Sequence, residues 1–141
     1  MQDVKATAVA GQYTLVVVNH GDIIKARYRG RALAHALGFS PAVTTLLVSA
    51  ISELTGNIVR YADAGTLRLR AVRKRSRIGL AISARDRGPG IAEVERALVG
   101  GYSTSGRLGL GLCSVNAIMD EMRVTSRAGR GTAITAVKWQ E

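Results

Sequence analysis

Apolar residues repeat along the first part of the chain in two patterns, one typical of a strand and the other of a helix. Tyr13 to Val18 is a run of β-branched and apolar residues, which predicts a strand. Asp22 can cap a helix that continues to about Leu37, where Gly38 is expected to end it.

A second, longer helix is predicted from Ser40-Pro41 to about Tyr61, because a capping residue is followed there by proline at the first helical position. Glu53 and Asn57 lie off the apolar stripe of this helix, so we expect both to face away from the core. The stripe consists of residues three or four apart: Val43, Leu46, Leu47, Ala50, Ile51, Leu54 and Ile58.

The second half of the chain returns to strand patterns around one glycine-rich segment. Ile78, Leu80, Ile82 and Ala84 alternate with other residues, as expected for a strand with one covered face. The predicted elements are strands at 65–72 and 78–85, a short helix at 92–98, a loop at 100–111, a helix at about 112–119 and strands near 123–126 and 132–139. This order predicts an α+β fold, a two-layer sandwich with helices on one face of a mixed, mostly antiparallel sheet, forming a single domain over 1–141.

The composition is ordinary for a globular protein, with 47% hydrophobic and 21% charged residues. No apolar stretch is expected to approach the roughly 20 residues of a membrane span, and the N-terminus lacks a signal-peptide profile. The one cysteine, Cys113, cannot form an internal disulfide, which suits a reducing compartment. We therefore expect a cytoplasmic protein with no membrane partner.

A formal net charge of +10 leaves three kinds of partner open: nucleic acid, an anionic membrane or an acidic protein. The densest cluster of cations, 73–77, lies between two alternating apolar runs and is most simply a solvated hairpin turn. Since aromatic residues make up only 4% of the chain, few are available to stack on bases. We expect no nucleic-acid partner, and an acidic protein is the next interpretation.

Glu53, Asn57 and Arg60 follow one another at turn spacing along the long helix. The neutral oxygen of Asn57 can complete a Mg²⁺ shell together with phosphate oxygens and water. Glu53, one turn away, could polarise a hydroxyl or water that attacks a γ-phosphate. Taken alone, Glu53 is much more readily a solvated helix residue, and it is the motifs further along the chain that favour the catalytic interpretation.

The run Asp86-Arg87-Gly88-Pro89-Gly90 follows an apolar strand and has the composition of a surface turn. The functional alternative is that the Asp86 carboxylate accepts from the amino group of adenine, while Gly88 and Gly90 let the backbone approach the base. Thr132 could add a hydroxyl to the same base, although threonine is common at the start of a strand.

Residues 100–112 are too rich in glycine to form packed structure, and their backbone N–H groups could fold over phosphates. Arg107 could then reach a γ-phosphate as a charge clamp. The segment contains no Walker sequence, and Ser114 occupies the place where a dinucleotide fingerprint needs a third glycine. The candidate ATP-contacting residues in it are Ser103, Thr104, Ser105, Gly106, Arg107, Leu108, Gly109, Leu110, Gly111 and Leu112.

These motifs, in this order, resemble those of the GHKL ATPase superfamily, which includes gyrase, Hsp90, histidine kinases and MutL. Residues 53–57 are similar to its N box, 86–90 to its G1 box and 109–112 to its G2 box. The resemblance implies a Bergerat ATP-binding fold, ATP and Mg²⁺ as cofactors, Glu53 as general base, Asn57 as metal ligand, and Arg60 near the nucleotide.

Within that superfamily the chain resembles the RsbT-type switch kinases of the stressosome and the kinases that act as anti-sigma factors. The similarity lies in the segments 51–54, 101–106, 119–121 and 137–139. It implies phosphorylation of serine or threonine on STAS-domain partners, in a partner-switching stress response that controls a sigma factor, and activation of a PP2C-type phosphatase by binding. The alternative is an anti-sigma factor or partner-switch protein that binds ATP without kinase activity.

Overall fold

A computed structural model describes residues 11–90 and 111–141, which form five strands and three helices. In chain order they are β1 (Gln12–Val17), α1 (His20–Ala36), α2 (Pro41–Tyr61), β2 (Gly65–Lys74), β3 (Arg77–Asp86), α3 (Leu112–Ile118), β4 (Glu121–Arg127) and β5 (Gly131–Trp139). Each predicted strand and helix within the described residues is present, with ends displaced by a few residues. The helix predicted at 92–98 lies outside the described residues.

The five strands form one sheet in the order β1-β2-β3-β5-β4. All four pairings between these strands are antiparallel, so the described sheet has no parallel component. Because β5 lies between β3 and β4, the end of β3 meets the start of β5, and Asp86 is paired with Thr132. The α+β prediction is confirmed.

Helix α1 begins with a capping box rather than with the Asp22 cap that the sequence suggested. Asn19 is the N-cap, and its side chain accepts from the Asp22 N–H at 3.1 Å. Asp22 is the third helical residue and its carboxylate accepts from the N–H groups of Val18 and Asn19. These two backbone hydrogen bonds hold the pKa of Asp22 below its ordinary value.

Helix α2 begins as predicted, with the Ser40 hydroxyl accepting from the Val43 N–H and with Pro41 at its first position. It packs against α1 and against the sheet, so its buried face is wider than a single stripe. Val48 and Thr55 are buried in addition to the predicted residues. Leu46 is 45% exposed, so its assignment to the core was wrong.

By length and composition, α2 is apolar enough to cross a membrane, contrary to the expectation from the sequence. Half of its most apolar window is buried inside the fold. A core helix of a globular protein meets the same criteria, so this feature is weak evidence for a membrane span.

The main core lies between the helices and one face of the sheet, where Leu67, Leu80 and Ile82 are fully buried. A second, smaller cluster lies on the opposite face and contains Val72, Ala81, Val137 and Trp139. Strand β3 is therefore covered on both faces near its middle, whereas alternation had suggested one covered face.

The smaller cluster is held by polar contacts of Trp139 at the end of β5. Its backbone N–H donates to the Asp120 carboxylate at 2.7 Å, and its indole N–H donates to the Glu121 carboxylate at 2.6 Å. Lys138 pairs with Asp120 at 3.3 Å, and the Arg77 guanidinium lies 5.4 Å from the indole ring. The segments 119–121 and 137–139, which contribute to the family resemblance, thus connect β4 to β5 by hydrogen bonds and an ion pair, at the end of β5 that is far from Thr132.

The cationic segment 73–77 is a hairpin turn, as predicted. Lys74 pairs with Arg77, which leaves a two-residue loop of Arg75 and Ser76. Among the described residues other than glycine, Arg75 is the one with a positive φ, at 58°. This conformation costs an L-residue with a side chain roughly 1–2 kcal/mol.

We expect Arg75→Gly to stabilise the fold by about 0.5–1 kcal/mol. Glycine removes the free-energy cost of the left-handed conformation, and this gain is larger than the cost of the extra backbone entropy that glycine loses on folding. Urea unfolding of the wild type and the variant would measure this difference. Ser76→Gly is the matched control, since Ser76 has no positive φ and its replacement is expected to destabilise slightly. A variant at Arg75 no more stable than the control would contradict the strain argument.

Candidate functional site

A tight turn follows Asp86 at the end of β3. The Asp86 carboxylate accepts from the Gly88 N–H at 2.8 Å, which fixes the orientation of its side chain. Gly90 has φ of 80°, and a Cβ there would collide with the backbone carbonyl of Arg127. Only glycine therefore lets this turn lie against the β4–β5 hairpin, where the Gly129 N–H donates to the Pro89 carbonyl at 2.6 Å.

Two hydroxyl side chains lie next to Asp86 on the neighbouring strands. Thr132 is paired with Asp86 across β3 and β5, and Ser126 is paired with Thr132 across β4 and β5. The two hydroxyl oxygens are 3.1 Å apart, and Ser126 also donates to the Gly131 carbonyl at 3.1 Å. The predicted site therefore includes Ser126, which the sequence analysis did not identify.

A small cavity of about 30 Å³ lies between α2 and this end of the sheet. It brings together four predicted site residues that are distant in sequence: Asn57, Asp86, Gly90 and Thr132. Apolar side chains from α2 and the sheet form the rest of its wall. The complete lining is Leu54, Asn57, Ile58, Tyr61, Ala84, Asp86, Pro89, Gly90, Thr132 and Ile134.

The cavity has room for about one water molecule, so a purine enters only if its wall moves. A much larger open groove, about 1230 Å³, lies beside it. Tyr61, Asp86, Pro89 and Thr132 line both spaces, so the cavity and the groove are neighbours.

The polar residues of α2 lie along one edge of the cavity. Asn57 lines it, and the Asn57 carboxamide oxygen accepts from the Arg60 guanidinium at 3.2 Å. Arg60 itself is exposed, lies 5.8 Å from the Tyr61 ring and lines the open groove rather than the cavity. The structure thus places Arg60 on the oxygen that the sequence analysis assigned to a metal ion.

Glu53 is half-buried, one turn before Asn57, and faces the start of α3. Gly111 precedes α3 with φ of 85°, and a Cβ at that position would overlap the Glu53 carboxylate. The close packing of Glu53 on Gly111 means that the glycine-rich segment ends beside this carboxylate. Leu112, the other predicted site residue here, is fully buried in the core.

Eight predicted site residues lie outside the described residues: Ser103, Thr104, Ser105, Gly106, Arg107, Leu108, Gly109 and Leu110. Gly88, by contrast, is described, and it packs against the end of α2, where a Cβ would meet Tyr61 and Ala62. The described part of the site is therefore the base-binding end predicted from Asp86 and Thr132, together with Glu53, Asn57 and Arg60 on α2, which we call the α2 edge.

Several cavity residues were missed because they were assigned a different role. The apolar stripe predicts Leu54 and Ile58 as core residues only, and they form both core and cavity wall. Leu54 lies one helical turn before Asn57 and Ile58 directly follows it, which was a usable signal. Tyr61, one turn after Asn57 on the same helix, carried a similar signal, whereas Ile134 carried none.

Residues 42–141 match the family model described as the histidine kinase-, DNA gyrase B- and HSP90-like ATPases. The matched segment includes every cavity residue. The chain belongs to this ATPase family. The resemblance drawn from the N, G1 and G2 boxes is thus confirmed.

A serine/threonine-protein kinase gives a second similarity. The chain is 43% identical over 123 residues to the serine/threonine-protein kinase RsbT of Bacillus subtilis (strain 168). The alignment covers 87% of this chain and 92% of that relative. Together with membership of the ATPase family, this identity supports an ATP-dependent kinase.

Proposed function

We propose that this protein is a serine/threonine kinase that transfers the γ-phosphate of ATP to a STAS-domain regulator in a partner-switching pathway. The observation that carries the proposal is the cavity in which Asn57, Asp86, Gly90 and Thr132 converge, in a chain 43% identical to a serine/threonine kinase. No single motif in the sequence supports it as strongly.

The cavity suits an adenine base by its chemistry. Asp86 accepts one hydrogen bond from Gly88 and has a second oxygen available for the amino group of adenine. Leu54, Ile58 and Ile134 offer apolar surface to the faces of the ring. Because the cavity is smaller than the base, ATP binding requires its walls to move apart.

The α2 edge suits a divalent cation bound with phosphates. Asn57 presents a neutral oxygen that already accepts from a cationic group, Arg60, and therefore tolerates positive charge beside it. Bound Mg²⁺ would neutralise charge on the β- and γ-phosphates. Asn57 would hold the ion after Arg60 releases the oxygen, and Arg60 would then be free to contact phosphate.

Glu53 is assigned as the general base of the transfer. Its carboxylate takes the proton from the serine or threonine hydroxyl of the partner as that oxygen bonds to the γ-phosphorus. The bond from the γ-phosphorus to the bridging oxygen breaks, and ADP leaves with that oxygen. The residues 103–110, including Arg107, are proposed to cover the phosphates, in keeping with the end of that segment beside Glu53.

The partners proposed here follow the same similarity. A STAS-domain protein is the phosphoacceptor, and the kinase then binds and activates a PP2C-type phosphatase in a stressosome-type pathway that controls a sigma factor. These steps take place in the cytoplasm, in keeping with the lone Cys113. The acceptor residue is a serine or threonine on the STAS domain.

Transfer of phosphate tests the proposal directly. Purified protein is incubated with Mg²⁺, ATP labelled in its γ-phosphate and a STAS-domain regulator, and the product is analysed by mass spectrometry. We expect acid-stable label on a serine or threonine of the STAS domain, and none when Mg²⁺ is chelated. ATP-dependent binding of the STAS protein without any label would instead support a partner-switch protein that lacks kinase activity.

A further inference from the structure

The face of the sheet opposite the described helices carries a concentration of positive charge that the proposed ATP site does not use. Along β2, the core residues Leu67 and Leu69 alternate with Arg68 and Arg70, which therefore point to the opposite face. The same alternation in the other strands places seven cations of the described strands on that face: Arg68, Arg70, Lys74, Arg77, Arg85, Arg123 and Arg127.

Strand pairing brings several of these cations into adjacent positions, and we call this surface the arginine face. Arg68 pairs with Ser83, Ser83 pairs with Thr135, and Thr135 pairs with Arg123, so two arginines flank a central pair of hydroxyls. The Ser83 and Thr135 oxygens are 3.5 Å apart. Arg68, Arg85 and Arg123 are all exposed, so their guanidinium groups are accessible.

Negative charge does not balance this surface within the described strands. Among the residues of the described strands, Glu121 has the one carboxylate on the arginine face, and this carboxylate already accepts a hydrogen bond from the Trp139 indole N–H. Lys25 pairs with Asp22 and Lys138 pairs with Asp120, and neither of these two ion pairs lies on this face. A surface with this excess of exposed cations favours binding of an anionic surface.

We propose that the arginine face is the docking site for a protein partner with an acidic surface. Its identification with a STAS-domain protein rests on the proposed function. Arg85 directly precedes Asp86 in β3 and Arg127 is paired with Gly131 beside Thr132, so the arginine face ends at the same strand ends as the ATP site but on the opposite side of the sheet. A partner docked here lies behind the strand ends that carry Asp86 and Thr132.

Two other occupants fit the surface less well. A second copy related by a two-fold axis would place the same cations against each other, which opposes association. Sequence-tolerant binding of single-stranded nucleic acid uses exposed aromatic rings, and Trp139, the aromatic residue on the described part of this face, is only 4% exposed. Charge complementarity therefore favours an acidic protein.

The test compares two triple variants that remove the same charge from different faces. Arg68→Gln/Arg85→Gln/Arg123→Gln neutralises the arginine face, and Arg27→Gln/Arg29→Gln/Arg31→Gln neutralises exposed arginines of α1. The probe is a purified STAS-domain protein of net negative charge, titrated calorimetrically. We expect the first variant to bind it about 10-fold or more weakly, and the α1 variant to stay within about 2-fold of wild type.

Further measurements separate charge from folding and from catalysis. ATP affinity should be unchanged in both variants, and Arg68→Lys/Arg85→Lys/Arg123→Lys should retain partner binding. Equal losses in the two glutamine variants, no loss in the first, tighter binding of single-stranded DNA than of the STAS protein, or self-association through this face would each overturn the inference. Strong docking by a wild-type chain that transfers no phosphate would refute only the kinase proposal.

Discussion

Replacing Asp86 by asparagine is expected to weaken ATP binding by about 100-fold, since a hydrogen bond to a charged group contributes roughly 1.5–3 kcal/mol. Asparagine keeps an oxygen that can accept from the Gly88 N–H, so the turn after β3 should persist. Its other terminal group is an NH₂ donor, which would face the amino group of adenine and cannot accept from it. Calorimetric titration with ATP and Mg²⁺ measures the loss.

GTP gives a second test of this hydrogen bond, because it carries an acceptor where ATP carries a donor. Guanine has a carbonyl oxygen where adenine has its amino group, so the variant should lose much less affinity for GTP than for ATP. Asp63→Asn, at an exposed carboxylate just after α2, serves as the control and should leave ATP affinity unchanged. An Asp86 variant that binds ATP normally would exclude this carboxylate as the adenine acceptor.

Local features of the site could be predicted from the sequence because they depend on residues close in the chain. The capping signal Ser40-Pro41 begins α2 as expected, and helical spacing places Glu53 and Asn57 on adjacent turns. The same local reasoning was less accurate at α1, where both Asn19 and Asp22 are good capping residues. The reciprocal hydrogen bonds between them decide the boundary, and these depend on backbone geometry.

Features created by strand order could not be predicted in this way. Spacing along the chain does not reveal that β5 lies between β3 and β4, and that order is what brings Ser126 to Thr132 and Thr132 to Asp86. The arginine face has the same origin, because its arginines come from three strands and are scattered in sequence. These arginines are spread along the sequence, and they form one continuous positive surface only when the strands pair in the folded sheet.

The contact between Arg60 and Asn57 affects how the α2 edge would bind a metal ion. The guanidinium and a metal ion would compete for the same Asn57 oxygen, so cation binding includes a rotation of the exposed Arg60 side chain. This rotation would move the Arg60 guanidinium away from the Asn57 oxygen and toward the open groove, where phosphates have room. The N-box asparagine and Arg60 are therefore best regarded as one unit.

Glu53→Gln is expected to reduce the rate of phosphoryl transfer by about 100-fold to 10,000-fold, the usual contribution of a positioned general base. Glutamine has nearly the same size and can keep the close contact with Gly111, but it cannot take a proton from the partner's hydroxyl. ATP affinity should change little, because the adenine contacts and Asn57 are untouched. Single-turnover transfer to the STAS protein, beside calorimetry with ATP, separates the two quantities.

Asn57→Ala provides the contrast that makes the assignment of Glu53 specific. Removal of the carboxamide oxygen should weaken Mg²⁺-dependent ATP binding as well as transfer, whereas the Glu53 variant should lose transfer alone. Loss of binding and transfer together in Glu53→Gln would mean that the carboxylate shapes the glycine-rich segment through Gly111 and is not the base. Unchanged transfer would assign proton removal to another group, because the close contact with Gly111 survives in this variant and the chemistry alone has changed.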